Sequence, residues 1–440
     1  MPRWLFWLAV QHFFAYVLLF AAQLPVKEPT TQSSVLGFGA KCDWNGSTGT
    51  DDTAAFQAAA DAAANAYKSS RRAQTIALPD GCVVGGEITY GSGVRWHGHG
   101  AIIVPRQIGH TFYAVNANDV AWDNVNITIL KPGTSGAAAS AISWFSINDP
   151  SSQHHVAIRN CQVKNSDWGI LVLYNNGTGS LSDVEIAGNT VSSDEIYANG
   201  DGIHVAGRVT GIRIHDNHIF NRGDAGIGLT SEDQGAGVYV LSGARVWNNV
   251  LTDDLVGLDD SGATNVEWIR NKVKATAARS GAQNPAFRQI YYGSTYPVGV
   301  RTIGNYLYSG DNSGSSATVK IDPKVQGQTS WPNVDSVFEK NIIDGPNAPL
   351  YVRGRGIVVS GNTFMRGGTF MLDYDGGDSQ GDPGLLTANI VVGPNKWMAR
   401  GSLVASAGCS LYKNVRVAQQ IGAGEVTYKN RHCLDNSTRP

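Results

Sequence analysis

The sequence predicts an all-β fold of stacked coils, and three observations predict it. The first is a recurring phrase of two β-branched residues one apart, followed by a small polar residue. It reads Val156, Ile158 and Cys161, then Val184, Ile186 and Asn189, then Ile212, Ile214 and Asn217. Looser copies end at Asn249, Asn271, Asn305, Asn362 and Asn395. The second is spacing. The polar slot moves from 161 to 189, 217, 249, 271 and 305, in steps of 28, 28, 32, 22 and 34 residues. A period of about 20–50 residues marks units that stack on one another. The third is the character of each phrase, which is β-branched and too short for a helix, so each unit supplies at least one strand.

The totals fit this reading. A length of 440 residues would allow two or three domains. Stacking argues instead for one elongated body, because solenoids grow by adding coils. The 52 glycines suit a chain with many tight turns. A net charge of −2 offers no electrostatic basis for nucleic acid. Only 16% of residues are charged, and uncharged polar surface with 11 Trp and 16 Tyr suits an extended polysaccharide partner.

Taken in order, residues 4–22 are almost wholly apolar behind Arg3, interrupted only by Gln11 and His12. Such a segment is a secretory signal or an uncleaved anchor. Residues 1–34 are therefore read as that segment and a linker, in a protein that is secreted, extracytoplasmic or anchored through its N-terminus. Residues 35–100 follow as a cap with the first coils, 101–415 as the main stack, and 416–440 as a C-terminal cap. Phe56, Ala59, Ala60, Ala63 and Tyr67 share one apolar helical face, and Thr50 or Asp51 would cap that helix. From about residue 120 to 415 there are ten or eleven coils, roughly 50 Å of stack at about 4.8 Å each. The Asn residues would form an internal ladder of side-chain amides. Cys161 stands in the same slot, which makes it a buried ladder residue rather than a nucleophile. Five cysteines fit two disulfides and one free thiol, and proximity in the chain pairs Cys42 with Cys82 and Cys409 with Cys433.

The run from 35 to 100 resembles the N-terminal signature of the pectin-lyase-like superfamily. The matching residues are Phe38 to Ala40, Asp51 to Thr53, Leu78 and Pro79, Gly81, Gly98 and Gly100. This resemblance implies a right-handed parallel β-helix of about ten coils whose open N-terminal end is covered by a capping α-helix. A cap is physically required there, because the first coil would otherwise expose unpaired edge groups.

Aligning the Gly-Ile pairs after each ladder residue gives columns. Trp168, Asp201, Ala225 and Val256 share one, and Leu171, His204, Gly228 and Asp259 share another. The columns gather Asp194, Glu195, Asp201, His204, Asp224, Asp253, Asp254, Asp259 and Asp260 into a few consecutive coils, with no Lys or Arg within the group. Asp201 and Asp224 fall roughly 6 Å apart between Cα atoms by strand spacing and rise, a separation that suits paired carboxylates. Proximity would split their pKa values into an acid and a base. Residues 199–202 and 223–225 also resemble the Asn-Thr-Asp-Gly and Gly-Asp-Asp motifs of polygalacturonases and rhamnogalacturonases, departing from them at Ala225. That resemblance implies Asp201 as general acid and Asp224 in the base pair.

Asp201, Asp224, His204 and Asp259 are therefore the candidate catalytic residues. Asp260, Glu232, Tyr291 and Tyr292 are the candidates for substrate binding. His154, His155, His215 and His218 show no metal spacing with carboxylates along the chain, so no metal site is expected. The leading expectation is a glycoside hydrolase without a cofactor. The alternatives are a lyase or epimerase on a uronic-acid polymer, with calcium held by the acids, and a non-catalytic carbohydrate-binding or tailspike-like protein, a trimer in that reading.

Overall fold

The computed structural model describes residues 32–365 except 108, 132–138, 149, 195–199, 234–236, 277–283, 311–316, 324–331, 347–349 and 353–354. Beyond 365 it describes the strands at 372–374, 385–387, 390–391, 399–400 and 416–417. Three all-parallel sheets wind along the chain. In one coil the backbone passes Gln153–Arg159 in the first sheet, Gln162–Lys164 in the second and Trp168–Tyr174 in the third. It then returns to the first sheet at Leu181–Ala187, beside its starting strand. Among the described residues the three sheets hold 13, 13 and 12 strands. The protein is thus a right-handed parallel β-helix, with ten first-sheet strands from Val120 onward among the described residues, as the spacing predicts. Ahead of residue 120, Gln74–Ala77 and Val94–His97 belong to the same first sheet. Gln32–Ser34, at the end of the expected linker, is itself a strand paired with Gln74–Ala77.

Two columns of left-handed residues bend each coil. One stands just before the first sheet's β-branched pair: Asp119, His155, Asp183, Gly211, Gly243, Asn265 and Gly299. The other stands just before the ladder slot: Asn124, Asn160, Gly188, Asp216, Asn248, Arg270, Gly304 and Lys340. All have φ between 53° and 69°. Gly, Asn and Asp tolerate this conformation with least strain, which explains why they recur around every phrase.

The ladder forms through the expected Asn189, Asn217, Asn249, Asn271, Asn305 and Asn362, with one further rung, Asn341, that the phrase pattern did not single out. Asn217 shows how each rung works. Its Nδ2 donates to Asn249 Oδ1 and to the Ile186 carbonyl, both at 2.9 Å. Its Oδ1 accepts from Asn189 Nδ2 and from the Asn189 backbone N–H, also at 2.9 Å. Both amide hydrogens and both lone pairs are used, so a polar side chain can be fully buried without cost in unmade hydrogen bonds. Cys161 heads the ladder, its N–H donating to Asn189 Oδ1. It is the free cysteine among the described residues, and burial pushes its thiol up to about 12. Asn395 lies outside the described residues.

The capping helix is Thr53–Ser70, and the apolar face predicted from spacing is the face it buries. The Phe56 ring stacks on Trp96 at 5.8 Å, and Trp96 meets Phe112 edge-on at 5.1 Å. The helix therefore closes the cylinder with aromatic packing. Its N-cap is Asp52, not Thr50 or Asp51. The Asp52 carboxylate turns inward and accepts the N–H groups of Lys41, Cys42 and Val83, while Asp51 accepts the Thr53 N–H. Cys42 and Cys82 form a disulfide. The apolar segment 4–22, Cys409, Cys433 and nearly all of 416–440 lie outside the described residues. No described helix is long and apolar enough to cross a membrane.

Replacing Asn217 with Ala leaves the buried Asn189 backbone N–H without its acceptor and takes one partner each from Asn189 Nδ2, Asn249 Oδ1 and the Ile186 carbonyl. Chemical denaturation should show a loss of about 2–4 kcal/mol. A loss within about 0.5 kcal/mol, typical of an ordinary surface change, would contradict the ladder's role.

Candidate active site

The pairing register of the third sheet decides what faces outward. Ile203, Ile227, Leu258 and Phe287 pair across successive strands and are buried in the core. One residue on, His204, Gly228, Asp259, Arg288 and Lys320 pair across on the opposite face. The next residues, Val205, Leu229, Asp260 and Gln289, return inward. This alternation is the two-residue period of a strand. The columns read from the Gly-Ile pairs are the columns of the sheet.

Asp201 sits just ahead of its strand, level with Ala225, whose N–H donates to Asp201 Oδ1 at 2.9 Å. Asp201 Oδ2 lies 2.6 Å from His204 Nδ1, so the two face the same way, as the flanking glycines suggest. Space for this pair comes from the next coil. A Cβ at Gly228 would fall 2.6 Å from Asp201 Oδ2 and 2.9 Å from His204 Nδ1. Gly200 is equally constrained, since a Cβ there would overlap the Asp167 carbonyl at 1.6 Å. The His204 ring also meets Trp168 edge-on at 4.9 Å.

Below this pair lies a buried cation. The Arg222 guanidinium is 1% exposed and donates to the carbonyls of Ser166, Asp167 and Asp201 and to Ser193 Oγ. Its backbone N–H is held by Asp254 at 3.0 Å. Burial raises the Asp254 carboxyl well above the usual carboxylate range and pushes Asp167 up to about 6, in each case against the pull of Arg222.

Asp224 is half-buried and carries the largest mechanistic signal. Burial and the neighbouring Asp201 charge push its carboxyl up to about 7, with Asp259 adding to the shift and Arg288 and His204 opposing it. Burial favours neutral His204, but the hydrogen bond to Asp201 and the charges of Asp201, Glu232 and Asp259 outweigh it and raise the imidazole pKa. Asp259 is clamped by Arg288, Nε to Oδ1 at 2.9 Å and Nη2 to Oδ2 at 2.5 Å.

Arg288 was missed by sequence reading, which expected no Lys or Arg in the cluster. It lies 29 residues after Asp259 but directly beside it in the sheet. The sequence reads as a loop over 276–297, whereas Phe287–Ile290 within it is a strand of the third sheet, one coil beyond Asp259. Other expectations are corrected. Asp260 cannot bind substrate on the outer face. It is fully buried inside the cylinder, accepting from Trp268 Nε1 and the Ala263 N–H. Asp194 is tied to Lys164 and Asn165, and exposed Asp253 takes the Thr276 hydroxyl, so neither joins the pair. Glu232 is buried in a short antiparallel pair with Val238–Tyr239, close enough to act on His204. Tyr291 is half-buried and Tyr292 exposed, in a turn closed with Thr295. They follow Ile290 at the far end of the Arg288 strand, about 10 Å of rise beyond Arg288. Glu195 and Asn199 lie outside the described residues. A calcium ion takes six to eight oxygens. The acids here fit that poorly, because Asp201 and Asp259 are already engaged by His204 and Arg288.

The raised carboxyls predict a pH effect on stability. An acid whose folded pKa is raised stabilises fully below the ordinary carboxylate range and loses that contribution as pH rises through its folded value. For Asp167 and Asp224 the window runs from about 4 to about 7. The melting temperature should fall across it, and Asp224→Asn should flatten the fall. Equal slopes in wild type and variant would refute the assignment to Asp224.

No family model matches this chain, and no curated protein matches its sequence. Solved structures do match. The catalytic unit of a thermostable GH87 alpha-1,3-glucanase from Streptomyces thermodiastaticus aligns at TM-score 0.63 and 14% identity, over 87% of this chain and 67% of that one. The surface protein and adhesin PfbA of Streptococcus pneumoniae aligns at TM-score 0.50 and 16% identity, over 84% of this chain and 99% of that one. At such identities the likeness is one of architecture, and it agrees with the sheets, ladder and cap described above. The chain has the fold of these proteins, a right-handed parallel β-helix.

Proposed function

We propose that the chain is a carbohydrate-active enzyme that hydrolyses an extended polysaccharide laid along the outer face of the third sheet. The observation that carries this reading is the Asp224 carboxyl, pushed up to about 7 beside the Asp201–His204 pair. Two carboxyl groups with unlike environments are what acid–base cleavage of a glycosidic bond needs. In this reading Asp224 is the general acid that protonates the leaving oxygen, and Asp201, oriented by His204, is the base that takes a proton from water. This reverses the roles implied by the family motif, because burial and the Asp201 charge favour the proton on Asp224. Asp259 is held by Arg288 and serves as fixed charge rather than proton carrier. Tyr291 and Tyr292 would meet the polymer beyond the end of the Arg288 strand. One architectural neighbour is an alpha-1,3-glucanase, which supports a carbohydrate partner and leaves the sugar open.

Arg288 bears on the lyase alternative, since a lyase needs a strong base beside the acids. Its guanidinium is clamped to Asp259 and its pKa is raised further by Asp259, Asp224 and Asp201, so it is ill suited to accept a proton.

The purified full-length chain should release reducing ends, without unsaturated products, from at least one member of a panel of neutral and acidic glycans. Asp224→Asn and Asp201→Asn should each lower kcat by about 10²–10⁴-fold. The rate should fall as pH rises through about 7, as Asp224 loses its proton. Unsaturated products would assign a lyase. Turnover unchanged in both variants would overturn the assignment of the pair.

A further inference from the structure

Away from this face, the first sheet brings together a second group of chemically active side chains. Asp119, His154 and His155 each offer one ligand atom, and these atoms all lie within 4.8 Å of one another. The two histidines are neighbours in the strand Gln153–Arg159, where alternation would normally send them to opposite faces. His155, however, has φ of +61°. This left-handed residue breaks the alternation, so both histidines are exposed in sequence and their rings meet edge-on at 4.6 Å. Asp119 comes from the preceding coil, 36 residues earlier, which is why spacing along the chain did not reveal it.

We propose that Asp119, His154 and His155 form a binding site for a divalent transition metal, zinc foremost. His155 Nδ1 lies 2.9 Å from Asp119 Oδ1. A tetrahedral ion with bonds of about 2.0–2.2 Å sets neighbouring donors about 3.3 Å apart, so it enters after an opening of a few tenths of an ångström. The surroundings are those of a metal centre's outer shell. His155 Nε2 faces Asp183 Oδ2 at 3.2 Å, the carboxylate–histidine arrangement that orients a ligating imidazole and strengthens it as a donor. Asp183 is held in turn by Arg213 at 2.7 Å. The other oxygen of Asp119 accepts the Tyr67 hydroxyl from the capping helix, which fixes the ligating carboxylate. Two imidazole nitrogens and one carboxylate oxygen suit zinc, nickel or copper rather than calcium or magnesium. Exposure of both histidines leaves a fourth position open to water. A bound ion ties the coil of Asp119 to the coil of His154 and His155, and through Tyr67 to the cap. By mass action it stabilises the folded chain. This site is separate from the proposed catalytic pair and does not depend on it.

The test is calorimetric titration of the full-length chain with zinc alone, beside thermal unfolding with and without zinc. His155→Asn keeps a residue that tolerates the left-handed backbone. One ion per chain is expected. His154→Gln, His155→Asn and Asp183→Asn should each weaken binding by about tenfold or more, and exposed His218→Gln should leave it unchanged. Zinc should raise the melting temperature of the wild type but not of the His154→Gln, His155→Asn double variant, while calcium and magnesium should raise neither. Absence of zinc binding, equal binding by the double variant, or an equal thermal shift in both proteins would overturn the proposal. Melting of the variants without zinc separates loss of the site from loss of the fold.

Discussion

Everything else in this protein rests on one repeated solution to one problem, the burial of a polar turn. Each coil must turn inward between its first and second sheets, and a turn leaves backbone groups unpaired. The asparagine ladder absorbs them. Asn217, Asn249, Asn271 and Asn305 each bind a backbone N–H, a carbonyl and two neighbouring amides. The left-handed residue before each rung makes the bend possible without strain where it is Gly, Asn or Asp. Arg270 and Lys340 hold the same conformation with larger side chains. Because rungs stack one above another, the ladder also sets the register of every strand that follows.

That register creates the candidate site. Residues scattered over a hundred positions, from Trp168 to Arg288, become a patch a few strands wide because parallel pairing carries each to the same height. The same alternation that brings His204, Asp259 and Arg288 to the outer face sends Asp260 into the interior. Its two donors, Trp268 and Ala263, satisfy it there. Position in sequence beside Asp259 says nothing of this separation; the period of two decides it.

The site is also built on a buried charge. Arg222 gathers three carbonyls from two coils directly beneath Asp201, and Asp254 anchors its backbone. A guanidinium without such acceptors would be costly to bury. With them it braces the turn from which Asp201 projects. Gly200 and Gly228 complete the arrangement by leaving room for a carbonyl and for the Asp201–His204 pair.

The sequence by itself determined the stack, the ladder and the cap. Their signals are local and repeat: β-branched pairs before Asn189 and Asn217, and an apolar helical face from Phe56 to Tyr67. It also assigned Cys161 to the ladder and Asp201 to one column with Trp168, Ala225 and Val256, because repeating units can be aligned without knowing their geometry. Only the tertiary structure decided which charges meet. Arg288 reaches Asp259 across 29 residues, Asp119 reaches His155 across 36 residues, and Asp224 acquires its raised pKa from burial beside Asp201. Loop lengths between strands carry no periodic signal, and the energy of a buried charge depends on neighbours brought from other coils. Those quantities exist only once the chain has been wound.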